Sequence, residues 1–263
     1  MVRLDIYLVE QGLCRSRERA KAHILAGEVL VNGAKITKPA YPVSDTDTVE
    51  LSESSSNFFS RGELKLQRAI DEFGLDFSGK LMLDVGASTG GFTFCALQHG
   101  ARFIWAVDVG TNQLDARLTH DSRVCSLEKT DIRTLDISAL GTQVDIVTAD
   151  LSFISLTQVA QPMVKFLKPE GFMVLLIKPQ FEAGMENIGK NGVVKDKEVH
   201  ELVIEKVANC FAQHNLYLNS ITFAPLKGKG YNIEYLALFS RSPKVLPHIK
   251  SVVSNAFELN KSI

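Results

Sequence analysis

A chain of 263 residues that is 45% hydrophobic can bury one sizeable core and a small companion domain. Its net charge of −1 gives no overall cationic excess, so any nucleic-acid role has to rest on local patches. Cys14, Cys95, Cys125 and Cys210 stand far apart without C-x-x-C spacing, and the six histidines are scattered. Both facts argue against a metal site or a disulfide scaffold and point to a reducing, cytoplasmic setting. The first residues include Arg3 and Asp5 with no long apolar core behind them, and the most apolar run, residues 172–177, is too short to cross a bilayer as a helix. No membrane partner is expected.

Residues 3–51 read as a small separate module. Ile6, Leu8 and Leu13 open an apolar set, and Ser16 is placed to cap a helix that runs through Arg17, Glu18, Arg19, Ala20, Lys21 and Ala22 and ends at Gly27. Val29, Leu30 and Val31 make a short strand, Asn32-Gly33 a tight turn, and residues 48–51 a last strand. Between Gly12 and Lys38, Arg15, Arg17, Arg19, Lys21, Lys35 and Lys38 outnumber Glu18 and Glu28, whereas Asp45, Asp47, Glu50 and Glu53 follow. A module polarised in this way can hold a phosphate backbone while the protein stays near neutral. The order Arg3-Leu4-Asp5, Leu8, Gly12, Ser16-Arg17, Ala20, Ile24, Gly27, Val29, Val31-Asn32-Gly33, Lys38-Pro39 and Val43 resembles the S4-type RNA-binding domain, with Asp45-Thr46-Asp47 where that family usually has Gly-Asp. The resemblance implies binding of structured ribosomal RNA by the helix pair, with Arg3, Arg15, Ser16, Arg17, Arg19, Lys21, Lys35 and Lys38 as contacts. Residues 52–56 form a polar linker, so the expected division is 1–56 and 57–263.

The second domain begins with Ser60-Arg61-Gly62-Glu63-Leu64-Lys65 and a helix through about Phe73, on which Lys65 by itself reads as an ordinary exposed lysine. The run Leu81-Met82-Leu83 then leads into Asp84-Val85-Gly86-Ala87-Ser88-Thr89-Gly90-Gly91 and the helical stretch 92–98. Strand, glycine turn and helix is how an α/β domain offers backbone N–H groups to a cofactor. The pattern is D-x-G-x-x-x-G-G, which is neither the dinucleotide G-x-G-x-x-G nor a P-loop. A carboxylate at Asp84 would repel a pyrophosphate but suits a cationic methionine end, favouring S-adenosylmethionine. Gly86, Ala87, Ser88, Gly90, Gly91 and Phe92 are the turn residues expected to surround it.

Strand 103–107 ends at Asp108-Val109, placed to hold the ribose hydroxyls. Strand 124–127 is followed by Asp131-Ile132 at the adenine edge, strand 144–149 by Asp150, and strand 172–177 by Lys178. A helix is expected over 157–167, an irregular loop over 181–194, a helix over 195–214, strands over 217–223 and 233–239 (the latter carrying Glu234), and a terminal helix after Ser240. Lys227-Gly228-Lys229-Gly230 makes a basic turn between the last two strands, open to a phosphate contact or a bare hairpin. The spacing predicts a Rossmann-like α/β fold whose mostly parallel seven-stranded sheet gathers binding groups at its carboxyl ends.

Ser60-Arg61-Gly62, Lys65-Leu66, residues 84–93, 106–111 and 151–156, the run 178–184, Gly192-Val193-Val194 and residues 232–235 are similar to the FtsJ-like RNA ribose 2′-O-methyltransferases, and the whole chain resembles the haemolysin A family. That resemblance implies S-adenosylmethionine as cofactor, ribosomal RNA or a ribosomal subunit as partner, a cytidine as target with large-subunit RNA favoured, and Lys65, Asp150, Lys178 and Glu234 as the catalytic set. Glu63 and Phe94 stand where the family usually has glycine and aspartate. A non-catalytic RNA-binding assembly factor, a membrane-active haemolysin and a small-molecule methyltransferase are the competing readings.

Overall fold

The computed structural model describes the chain apart from residues 1, 15, 16, 26, 45, 52–58, 229, 246 and 263, and apart from the side chains of residues 18, 19 and 22. Its contacts divide the chain into two units, Met1–Phe59 and Ser60–Ile263.

In the first unit, β1 (Val2–Arg3) leads into α1 (Leu4–Glu10), which packs on α2 (Arg17–Leu25). β2 (Val29–Val31) pairs antiparallel with β3 (Ala34–Ile36) and β5 (Val49–Leu51), and β4 (Pro42–Val43) pairs with β1. The β2–β3 turn works because Asn32 and Gly33 take φ of 52° and 78°, the left-handed pair a two-residue hairpin requires. Leu4, Leu8, Ala20, Ile24, Val29, Val31 and Val43 make the core.

In the second unit, α3 (Arg61–Phe73) precedes β6 (Leu81–Val85), α4 (Gly91–Gln98), β7 (Phe103–Val107), α5 (Ala116–Thr119), β8 (Val124–Leu127), β9 (Val144–Ala149), α6 (Ala160–Val164), β10 (Leu167–Ile177), α7 (Pro179–Glu182), α8 (Lys197–Ala212), β11 (Tyr217–Phe223), β12 (Tyr235–Ser240) and α9 (Ile249–Ser262). Among the described residues seven strands form one sheet in the order β11-β12-β10-β9-β6-β7-β8. All neighbours are parallel except β12, which runs antiparallel to both β10 and β11. The Rossmann-like architecture is therefore as expected.

Every residue of β6 is buried, as a central strand covered on both faces demands. Leu83 and Val85 join one apolar cluster with α6, α8 and α9, while the intervening Met82, Ile104, Ile146 and Leu236 are buried on the other side of the pleat. The strand order reverses direction at β6, with β7 on one side and β9 on the other. Such a switch point is where open α/β sheets bind ligands.

Three expectations need correction. The helix over 157–167 is only a 3₁₀ turn, Leu156–Gln158, followed by the short α6. Pro162 has no N–H to donate and fits only a first turn, so no long helix can pass through it. β10 accordingly starts at Leu167, not at residue 172, with a register shift between Leu167 and Phe172 that takes up the Pro169-Glu170-Gly171 stretch. Glu234 also lies just before β12 and not within it, although its carbonyl accepts from the Ala224 N–H at 2.8 Å. Among the described residues, no helix is long and apolar enough to cross a membrane, and no group of three or more His, Cys, Asp or Glu side chains is arranged to hold a metal ion.

Candidate active site

Two glycines bring Lys65 to the sheet. A Cβ built on Gly91 would lie 2.2 Å from Ser60 Oγ and 2.9 Å from both Glu63 N and Gly62 Cα, and one on Gly62 would lie 3.3 Å from Gly91 Cα. The first turns of α3 and α4 thus touch backbone to backbone, which requires glycine at Gly91, while a methyl at Gly62 would need its neighbours to give by a few tenths of an ångström. One turn further along α3, Lys65 reaches β9. Its Nζ donates to Asp150 Oδ2 at 3.0 Å and pairs with Glu234 Oε2 at 2.9 Å. Lys178, from the end of β10, pairs with Asp150 Oδ1 at 2.6 Å and donates to Ser152 Oγ at 2.9 Å.

The result is one chain of alternating groups, Glu234–Lys65–Asp150–Lys178–Ser152, drawn from four separate parts of the sequence. Both lysines are on the same side of the domain and share one carboxylate. Gln180 Nε2 donates to the other oxygen of Glu234 at 3.4 Å. Burial works against the charge on Lys65, but Asp150 and Glu234 outweigh it and hold its pKa above the ordinary lysine value. Burial likewise raises the Asp150 pKa, but the two lysines outweigh it and leave Asp150 below the usual carboxylate value. Glu63, at the start of α3, exerts its charge on Cys95, and the shift of Lys65 comes from burial, Asp150 and Glu234. Phe94 sits half-buried on α4.

The glycine turn lies beside this network. A Cβ on Gly86 (φ 78°) would meet Leu151 Cδ2 at 2.9 Å and the Asp150 carbonyl oxygen at 3.0 Å, so the turn is pressed against the segment that carries Asp150. Ser88 takes φ 49° and Gly90 φ 92°. Ser88, in place of a glycine, bears the cost of a left-handed backbone while its N–H donates to Asp108 Oδ2 at 2.8 Å. The Gly110 N–H donates to Asp108 Oδ1 at 2.7 Å. Each of these oxygens keeps a second lone pair, and Asp108 is only partly buried, so it remains able to accept from hydroxyl groups. Val109 beside it is exposed, Ile132 is buried, and Asp131 is bound by the Arg133 guanidinium.

Asp84 corrects the sequence reading. It is 1% exposed, and its two oxygens accept from Thr93 Oγ1 at 2.7 Å and Thr148 Oγ1 at 2.8 Å. Burial pushes its carboxyl up to about 6, against the two threonine hydrogen bonds. It braces the turn from beneath and does not present a carboxylate to a ligand's cationic end.

The sequence did not single out Phe153. Its ring is 91% exposed at φ 65°, immediately beyond Ser152, and tilts onto Phe181 at 5.1 Å between centroids. Glu182, itself buried, accepts from Ser155 Oγ at 2.5 Å and the Leu156 N–H at 2.7 Å, which anchors the loop carrying Phe153. The motif was legible, but exposure of an aromatic cannot be read from a string of apolar letters.

Of the residues expected to contact RNA, Arg3, Arg17, Lys21, Lys35 and Lys38 are exposed. Arg3 and Arg17 are also tied to the buried Asp5, at 2.9 and 3.0 Å. Arg15, Ser16 and the Arg19 side chain lie outside the described residues, as does the 52–56 linker.

A family model for FtsJ-like methyltransferases matches residues 58–241, and one for the S4 domain matches residues 2–49. The chain is 41% identical to a protein of Mycobacterium tuberculosis described as 16S/23S rRNA (cytidine-2′-O)-methyltransferase TlyA, over 89% of this chain and 87% of that one. It is 32% identical to the 23S rRNA (cytidine-2′-O)-methyltransferase TlyA of Campylobacter jejuni, over 92% and 100% respectively. A solved structure from Streptococcus thermophilus described as a haemolysin superposes with a TM-score of 0.79 at 38% identity, covering 97% of this chain and 95% of the other. With its S4 domain followed by an FtsJ-like methyltransferase domain, the chain belongs to the TlyA/haemolysin A family.

Proposed function

We propose that this protein transfers a methyl group from S-adenosylmethionine to a ribose 2′-hydroxyl in ribosomal RNA, that of a cytidine, with large-subunit RNA the favoured target and the cytoplasm the place of action. The observation that carries this reading is the meeting of Lys65, Asp150, Lys178 and Glu234 at contacts of 2.6–3.0 Å beside a glycine turn at the sheet's switch point. The names of two relatives, one specifying 23S RNA and the other both RNAs, support the cytidine and the ribosomal substrate.

The residues at the turn fit the cofactor. Gly90 opens α4 with no side-chain cap, and a helix start of this kind favours a carboxylate such as that of the methionine moiety. Asp108 can accept from the ribose hydroxyls, with Val109, Asp131 and Ile132 around the adenine position and Gly86, Ala87, Ser88, Gly91 and Phe92 forming the wall. S-adenosylmethionine supplies a methyl already activated on a sulfonium.

The protein's own work is to align the ribose oxygen and manage its proton. Lys178, paired with Asp150 as an ammonium, steers that proton by orienting the hydroxyl, and takes it only as the neutral amine, after its own proton has passed to solvent. Lys65, held cationic between two carboxylates, adds positive field where negative charge grows on oxygen. Asp150 fixes both ammonium groups, and Glu234 orients Lys65. Phe153 offers an exposed ring face to an unstacked base.

The test is transfer of tritiated methyl to unmodified ribosomal subunits, with the modified nucleotide mapped. A labelled cytidine ribose in large-subunit RNA is the expected result. Binding without label assigns the protein to assembly and overturns the enzymatic reading.

A further inference from the structure

The segment between β11 and β12 carries a cation that the site just described does not use. The segment is anchored at its base: the Ala224 N–H bonds the Glu234 carbonyl at 2.8 Å, Leu226 packs into the core, and Ile233 is buried. Beyond Lys227, the Tyr231 N–H reaches the carbonyl of the buried Gly228 at 3.4 Å, while Gly230 and Tyr231 are exposed, Tyr231 at 58%. Lys227 follows directly on the anchored Leu226 and is exposed. Among the described residues it has no ion pair, whereas Lys65 and Lys178 are both paired to carboxylates. Although Lys227 is exposed, the protein around it removes part of its hydration, and this, together with the charges of Lys65, Arg61 and Lys178, pushes its pKa down, against the pull of Glu234. Geometry ties this segment to the site: Ala224, three residues before Lys227, bonds the backbone of Glu234, whose carboxylate pairs with Lys65. An exposed cation in the same short segment as an exposed aromatic suits a single-stranded backbone.

We propose that Lys227 is a phosphate contact for the RNA strand entering the site, next to the nucleotide whose ribose is to be methylated. The inference rests on the proposed function and makes Lys227 an RNA contact of the methyltransferase unit itself, in addition to those of the S4 domain. The other anion able to reach this ammonium is the cofactor's carboxylate, and the experiment separates the two.

Binding of the full-length protein to unmodified large ribosomal subunits is measured from 50 to 200 mM monovalent salt at fixed magnesium, and binding of S-adenosylmethionine by calorimetry. Lys227→Ala is expected to weaken subunit binding and to make the slope of log affinity against log salt shallower by about one. Lys227→Arg is expected to keep the slope, Lys227→Glu to weaken binding further, and all three to keep cofactor affinity. An unchanged slope and affinity in Lys227→Ala overturns the proposal. So does a loss of cofactor affinity with subunit binding intact, which reassigns Lys227 to the methionine carboxylate. Methyl transfer by the unaltered protein is scored separately, so failure of the enzymatic reading is not confused with failure of this one.

Discussion

Single residues show how burial decides between roles that the same letter can play. Asp84 and Asp150 both end or follow a central strand, and the sequence marked both. Asp150 sits between two ammonium groups and stays ionised, whereas Asp84 sits on two threonine hydroxyls with its carboxyl pushed up to about 6. Thr93 closes the 84–93 motif, but Thr148 is 64 residues from Asp84, so the pairing of both hydroxyls on one carboxyl was not legible locally. The consequence can be measured. A carboxyl whose folded pKa lies above its unfolded value of 3.8 contributes its full stability below that value and loses it as pH rises through about 6. Asp84→Asn has no proton to lose, and its amide can serve both threonines. The melting temperature of the variant relative to the unaltered protein should therefore climb between pH 4 and pH 7, by the equivalent of about 2–3 kcal/mol. A flat difference across that range sinks the assignment. Lys178 makes the opposite kind of prediction, about turnover. Lys178→Ala should abolish methyl transfer while cofactor affinity, which we assign to the glycine turn, changes little. Calorimetry beside the tritium assay reads both, and normal turnover by the variant rejects the role of Lys178.

At the level of elements, the sequence located strands well because central parallel strands are apolar throughout, as in β6. It misplaced the stretch before β10, where Pro162 and the 169–171 segment interrupt the pattern. It also marked Gly62 and Gly91 only as letters of two motifs. That they belong to a single contact depends on how α3 lies across α4, which no local pattern encodes. Gly91→Ala should push the two helix starts apart. Ser60 Oγ can rotate away from the new methyl, but Glu63 N and Gly62 Cα are backbone and cannot. The expected cost is about 1–3 kcal/mol of stability. A larger loss is expected in turnover, since Lys65 rides on the displaced helix and must stay within hydrogen-bond distance of Asp150. Ser60→Ala should fail to rescue it. Rescue by Ser60→Ala in thermal melts and methyl-transfer assays would show that the side chain, not the backbone approach, is the constraint.

For the whole molecule, a net charge of −1 means that attraction to RNA cannot come from a general field and has to come from exposed local cations. In the first unit those cations are not equivalent. Arg3 and Arg17 hold the buried Asp5, whose carboxyl they pull down to about 2, so replacing either one disturbs folding and recognition together. Lys21 and Lys38 are exposed and have no ion pair among the described residues, which makes them the clean probe. Reversing both, Lys21→Glu with Lys38→Glu, replaces two phosphate-seeking charges with two that repel phosphate. Subunit affinity should fall, and the salt slope should become shallower by about two or more. Thermal stability and cofactor affinity should stay as they were, because neither depends on these side chains. Filter binding across a salt series and calorimetry decide the matter. If the slope is unchanged, Lys21 and Lys38 are solvated surface, and RNA binding has to come from the other cations of the small domain or from the methyltransferase domain. In that case the contribution of Lys227 should grow in proportion, and combining Lys227→Ala with the double reversal shows whether it does.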